Sequence, residues 1–304
     1  MRSILVPLDG SPFAERVLPL AVQLAEGHGA SIRLALVHMP HPIVGGEAGP
    51  GVVPDFDLRA REAEYLTSQV DTIDPDKRGM VSTVHLDGDP GPALEAEVRR
   101  ASVDLVVMAT HGRGAFSRFW LGSVADYLVR HLEVPILLIR PGQDAGSDSH
   151  YPFRHVLVPL DGSTLAEQAI EPALALAGGG SSPPPQLTLL TVVEPVLGVG
   201  EPGLPFAVPI EPRLFDEHLR AAEARLQAVA ARLTARGIPV RTAVATDPGV
   251  AGAIVAEAER AGAGLISMMT HGDRGLRRLV LGSVADKVLR GATMPILLGR
   301  PPGP

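Results

Sequence analysis

The chain contains no cysteine, which excludes disulfides, thiolate metal ligands and cysteine nucleophiles. Lysine is almost missing too, occurring only at Lys77 and Lys287, and no G-x-x-x-x-G-K-[ST] stretch exists, so a P-loop motor is excluded. Aromatic residues make up 4% of the chain, so its cores must be built from Val, Leu, Ile and Ala. Positive charge is in deficit: the formal net charge of -7 argues against a nucleic-acid partner or an anionic membrane surface. No apolar run approaches the roughly 18 residues of a membrane span, and Ile4–Leu8 is too short for a signal-peptide core. A soluble, cytoplasmic protein is expected.

What is present is a pattern written twice. "ILVPLDGS" (4–11) returns as "VLVPLDGS" (156–163), and "DPG" at 89–91 returns at 247–249. "THGRGAFSRFWLGSVAD" (110–126) returns as "THGDRGLRRLVLGSVAD" (270–286), and "VPILLIRP" (134–141) as "MPILLGRP" (294–301). The order of landmarks is kept while their separation grows from 152 residues (Asp9 to Asp161) to 160 (Gly122 to Gly282), as insertions in the early loops of the second copy require. The stretch 142–152, polar and rich in Gly and Ser at its start, reads as a linker between a first domain, 1–141, and a second, 153–304.

Within the first copy, Ile4–Leu8, Ile32–His38, Val81–Leu86, Leu105–Ala109 and Ile136–Ile139 are apolar or β-branched runs, as expected of strands buried on both faces. Val17, Leu20, Ala21, Leu24 and Ala25 mark one helical stripe, and Val124, Leu128 and Leu132 another. The expected fold is α/β: two tandem open five-stranded parallel sheets, order 3-2-1-4-5, with helices on both faces. Pro19 and Pro172 fall inside the first helix of each copy and predict a kink there. The loops Pro40–Pro54 and Glu194–Pro212 are long and rich in Gly and Pro, as in lids or disordered segments.

Ligands of such sheets sit beyond the carboxyl ends of the strands, where strand order reverses. Asp9 and Ala109 end strands one and four and would flank that crevice. Gly122 permits close approach, and the helix opening at Ser123 offers unpaired N–H groups to a phosphate. Against this, Ser123 with Asp126 and Ser283 with Asp286 match the S-x-x-D capping box, and Asp9 and Asp161 match a simple turn. The helix dipole supplies only about 0.3–1 kcal/mol, whereas micromolar binding takes about 8 kcal/mol, so a whole nucleotide fits this site better than a bare phosphate. Strand two ends in His38 or Thr191, with no acid for a ribose, which disfavours a nicotinamide cofactor. The pair His38 and His41 is a weak metal signal, Phe119 and Trp120 read as packing residues, and Arg113, Arg118, Arg274, Arg277 and Arg278 as solvated.

Taken together, "ILVPLDGS", the "THG" after strand four, the nine residues between Gly112 and Gly122, "LGSVAD" and "VPILLIRP" resemble the universal stress protein family, once per copy over essentially the whole chain. The resemblance is to its tandem-domain members, and implies a Rossmann-like, flavodoxin-like fold. It also implies ATP held through the pattern G-x2-G-x9-G-[ST], with Mg²⁺ or Mn²⁺ accompanying the triphosphate. In the first copy it points to Pro7, Leu8 and Asp9 near ribose and adenine, to Met39 holding adenine by its backbone, and to Ala109, Thr110, His111, Gly112, Arg113, Gly122, Ser123 and Val124 around the phosphates. In the second copy the matches are Pro159, Asp161, Val192, Thr270, His271, Gly272, Gly282, Ser283 and Val284.

Two positions depart from the pattern, whose first glycine is Ala109 in one copy and Met269 in the other. Methionine is bulky enough to fill space beside the ribose, and Asp273 stands where the first copy has Arg113, so the first copy is expected to bind the tighter. The family's domains pair through the last strand, which here implies an intrachain pseudo-dimer or a homodimer. The function implied is that of an ATP-binding stress or regulatory protein that acts on a protein partner, with no catalytic residue and at most slow hydrolysis. The alternative is a nucleotide-free dimerisation or chaperone-like module.

Overall fold

A computed structural model describes residues 1–39, 55–110, 121–140, 153–179, 184–195, 212–270 and 281–300. The chain divides into two compact units, Met1–Pro152 and Phe153–Pro304.

The first unit runs β1 (Ser3–Leu8), α1 (Pro12–Glu15), α2 (Leu18–His28), β2 (Ser31–His38), α3 (Asp55–Asp71), a 3₁₀ turn (Pro75–Met80), β3 (Val81–Asp87), α4 (Pro90–Arg100), β4 (Leu105–Ala109), α5 (Ser123–His131) and β5 (Ile136–Ile139). Its strands lie in the order β3-β2-β1-β4-β5, all parallel. The second unit repeats this with β6 (His155–Pro159), α6 (Thr164–Glu167), α7 (Ile170–Ala177), β7 (Gln186–Val193), α8 (Pro212–Thr234), β8 (Val240–Thr246), α9 (Val250–Ala261), β9 (Leu265–Met269), α10 (Ser283–Gly291) and β10 (Ile296–Gly299). The order is β8-β7-β6-β9-β10, again parallel.

The apolar runs explain the sheet. β4 and β5 are buried at every residue and β1 at Ile4, Leu5, Val6 and Leu8, so helices must cover both faces. The predicted stripe Leu20, Ala21, Leu24 and Ala25 is fully buried on α2, and Leu128 and Leu132 are buried on and just after α5. β3 departs from expectation. It is an edge strand, with Ser82 and Thr83 exposed, not a run buried on both faces.

The prolines also act differently from the predicted kink. The chain makes one helical turn, α1, then breaks, and Pro19 sits in the first turn of α2, where its missing N–H has no intrahelical partner to lose. The second unit breaks in the same way, between α6 and α7, two residues before Glu171-Pro172 enters the first turn of α7.

Candidate nucleotide site

β1 pairs with β2 on one side and with β4 on the other, so the direction of winding reverses between β1 and β4. The crevice beyond these two carboxyl ends is the place where such sheets take ligands. The first wall is the turn after β1. Asp9 Oδ1 accepts the Ser11 N–H at 3.0 Å and the Ser11 hydroxyl at 2.6 Å, and Gly10 between them has φ +76°, a conformation that suits glycine. Ser11 Oγ in turn accepts the Ala14 N–H at 3.2 Å and caps α1. Asp9 therefore serves a turn. The second unit repeats this: Asp161 Oδ1 accepts the Ser163 N–H at 2.9 Å, Gly162 has φ +86°, and Ser163 caps α6. Pro7 and Pro159 lie near the ends of β1 and β6, half-buried, and Leu8 is buried.

The opposite wall is the exit from β4. Thr110 is buried, its N–H donates to the Ile139 carbonyl at 2.9 Å, and its own carbonyl accepts the Gly122 N–H at 2.8 Å. Thr270 and Gly282 repeat this, with Thr270 donating to Gly299 at 3.0 Å and accepting from Gly282 at 2.8 Å. The loop between them thus leaves and returns at one point. At Gly282 the fit is tight: a β-carbon there would lie 2.8 Å from the Thr270 carbonyl oxygen, so only glycine lets the backbone come this close.

This pinning corrects the capping box. Gly122 and Gly282, not Ser123 and Ser283, are the N-caps of α5 and α10, with extended backbone (φ -64°, ψ 153° and φ -57°, ψ 145°) and no side-chain cap. Ser123 and Ser283 are exposed first helical residues, with Val124 and Val284 half-buried behind them. Asp126 and Asp286 reach instead to Arg130 at 2.7 Å and Arg290 at 2.8 Å. The amides of Ser123, Val124 and Ala125 precede the first intrahelical bond, from Asp126 to the Gly122 carbonyl, and no side chain among the described residues caps them. Ser123→Ala should therefore change unfolding free energy by less than about 0.5 kcal/mol. Ser11→Ala, which removes a working cap, should cost about 0.5–2 kcal/mol in the same chemical denaturation.

At the mouth of the first crevice stands Tyr65 of α3, a residue that sequence reading missed. Its hydroxyl donates to Glu15 at 3.0 Å, and burial, the Glu15 carboxylate and nearby Asp9 all push its pKa upward, so it stays protonated. The available signal was scarcity, since the chain has three tyrosines. The second unit has a cleft of about 150 Å³ beside Leu160, Asp161, Gly162, Thr191, Arg225 and Arg232. The Arg225 guanidinium lies over Gly162, 3.5 Å from where a β-carbon would be, and gives this cleft a cationic rim.

Met39 directly follows β2 and is exposed. Register fixes its counterpart. Pro7 pairs with Ala35 and Pro159 with Leu190, so Met39 corresponds to Glu194, while Val192 lies two residues earlier, inside β7. Met269 ends β9 with its sulfur against Gly299 of β10. Ala109 is the small, buried residue ending β4. His111, Gly112, Arg113, His271 and Gly272 lie outside the described residues, as do Asp273, Phe119, Trp120, Arg118, Arg274, Arg277, Arg278, His41 and the two long loops apart from Glu194, Pro195 and Pro212.

The family model described as the universal stress protein family matches residues 1–140 and again 152–300. The chain belongs to the universal stress protein family. A universal stress protein of Mycolicibacterium smegmatis is 26% identical across 98% of this chain and 97% of its own length. One from Mycobacterium tuberculosis is 29% identical over 86% of this chain and 81% of its own. A Thermus aquaticus universal stress protein is 30% identical over 46% of this chain and 98% of its own length, matching a single copy of the repeat. The crystal structure of a universal stress protein from Archaeoglobus fulgidus superposes with a TM-score of 0.67 at 21% identity, covering 98% of this chain and 96% of that one, and so shares the fold. No helix among the described residues is long and apolar enough to cross a membrane.

Proposed function

We propose that each unit of this universal stress protein binds an adenine nucleotide, ATP in the first instance, and that nucleotide occupancy alters how the chain engages a protein partner. The observation that carries this is the uncapped amino end of α5, and likewise α10, held open at the switch point by a glycine pinned to a threonine carbonyl. Amides there suit phosphate oxygens, and the loop residues His111, Gly112 and Arg113 (His271 and Gly272 in the second unit) supply the remaining donors. Asp9 and Asp161 face the ribose, and Met39 meets the base. Mg²⁺ or Mn²⁺ travels with the triphosphate.

Hydrolysis is slow in this reading. Neither lysine serves the phosphates: Lys77 is tied to Glu26 at 2.9 Å, and Lys287 is exposed on the second turn of α10. The Asp9 carboxylate is held by Ser11 and is not poised as a general base. Mass spectrometry of small molecules released from the purified chain tests the proposal: adenine nucleotide should be recovered, or be taken up from added ATP with micromolar affinity. A chain that is purified bare and takes up no ATP would support the nucleotide-free interaction module instead.

A further inference from the structure

Beyond the nucleotide crevice, three ligand-capable side chains from three elements of the first unit converge on one point. His38 at the end of β2 is completely buried, and its Nδ1 lies 2.8 Å from Glu62 Oε2. His85 of β3 places Nε2 2.9 Å from the same carboxylate oxygen of α3, with Glu62 and His85 only partly exposed. The two rings meet edge to face, with centroids 5.9 Å apart, and all three ligand atoms lie within 4.8 Å of one another. Two imidazole nitrogens and one carboxylate oxygen, converging with an edge open to solvent, are the donor set that takes a borderline divalent transition ion, with water as the fourth ligand.

The second unit shows that the fold does not require this cluster. Leu36 pairs with His85 and Thr191 with Val244, and the β1 and β6 registers make Leu36 the counterpart of Thr191. His38 and His85 therefore correspond to Val193 and Val244. The helix over those strands, α8, buries Leu226 and Val229. An apolar solution thus exists for the same strands, and the first unit instead keeps three polar groups aimed at each other. Metal–nitrogen bonds of about 2.0–2.1 Å in a tetrahedron need ligand atoms about 3.3 Å apart: the histidine–carboxylate separations of 2.8 and 2.9 Å must open by a few tenths, and the two imidazole nitrogens, within 4.8 Å of each other, must come to the same spacing. Small rotations of Glu62 and His85 on a half-exposed edge would supply that.

We propose that His38, Glu62 and His85 form a site for a zinc-class divalent ion, one per chain and confined to the first unit. The site needs no bound nucleotide. The test uses the untagged full chain, stripped with a chelator and free of nucleotide, titrated with Zn²⁺ by calorimetry and with Co²⁺ by visible absorption. One equivalent of Zn²⁺ should bind with a Kd in the micromolar range or tighter, and Co²⁺ should give the intense visible bands of a tetrahedral site. His85→Val, which installs the residue carried at the matching position of the second unit, should weaken binding by about 100-fold or more, since even outer partners of metal ligands are worth 10–100-fold. Glu62→Gln should do the same while keeping side-chain shape. Wild-type protein that binds no Zn²⁺ at about a hundred micromolar would overturn the site and leave a hydrogen-bonded clasp. So would unchanged binding in His85→Val, because the ion would then sit elsewhere. ATP binding unaffected by Zn²⁺ removal keeps the two readings separate.

Discussion

Met269→Ala is expected to cost about 2–5 kcal/mol, the usual price of emptying a buried methionine site. Met269 is 8% exposed and stands beside Gly299 in the register of β9 and β10, and a β-carbon on Gly299 would lie 2.7 Å from its sulfur. The first unit solves the same position the other way round, with small Ala109 beside large Ile139, both buried. The two copies have thus exchanged which strand carries the bulk. Gly299→Ile alone should overpack by about 1–3 kcal/mol. The double variant, which reproduces the first unit's pair, should lie within about 1 kcal/mol of wild type, giving a coupling of a few kcal/mol in a double-mutant cycle read by chemical denaturation. Costs that simply add would show that the residues do not share the space. Because the sulfur sits over β10, Met269→Ala should leave nucleotide affinity within about twofold, a change of about 0.4 kcal/mol.

Gly122→Asp should abolish nucleotide binding in the first unit, weakening it by about 100-fold or more, about 2.7 kcal/mol. The reason is competition. Aspartate is a favoured N-cap, and the extended backbone at Gly122 suits it, so its carboxylate would take the same amides that a phosphate needs and add like charge beside it. Because Gly122 donates to the Thr110 carbonyl at the same 2.8 Å as Gly282 does to Thr270, a β-carbon is expected to meet that carbonyl, and chemical denaturation of the variant separates lost binding from lost folding. Gly282→Asp should do the same to the second unit, where a β-carbon would lie 2.8 Å from the Thr270 carbonyl oxygen. Titrating the two single variants with ATP isolates each site in turn. The second unit, whose loop sequence carries Asp273 where the first has Arg113, is expected to bind the weaker. Equal affinities would remove that ranking.

The sheet was legible because it is buried. β4 and β5 were bounded to the residue, and β1 and β2 to within one, since strands covered on both faces are written as unbroken apolar runs. β3 was also bounded to within one residue, but its burial was not foreseen, because one side of the sheet ends there and Ser82 and Thr83 face solvent. The walls of the crevice could be read from the repeat. The cap could not: S-x-x-D fits a capping box, but the hydrogen bond from Gly122 to Thr110 fixes the extended residue one place earlier, and nothing local to the motif reveals that bond. Tyr65 against Glu15 and His85 against Glu62 are brought together across tens of residues by strand order, so no spacing announces them. The exchange of Met269 and Gly299 for Ala109 and Ile139 needed the register of two strands thirty residues apart.

Backbone amide shifts of the isotopically labelled full chain during titration with ATP, and separately with adenosine, test the central claim most directly. Ser123, Val124 and Ala125, with Ser283, Val284 and Ala285, should shift strongly with ATP and little with adenosine, because only ATP brings a polyphosphate to those N–H groups. Amides at both helix starts that stay still at saturating ATP, or that move equally with adenosine, would contradict it.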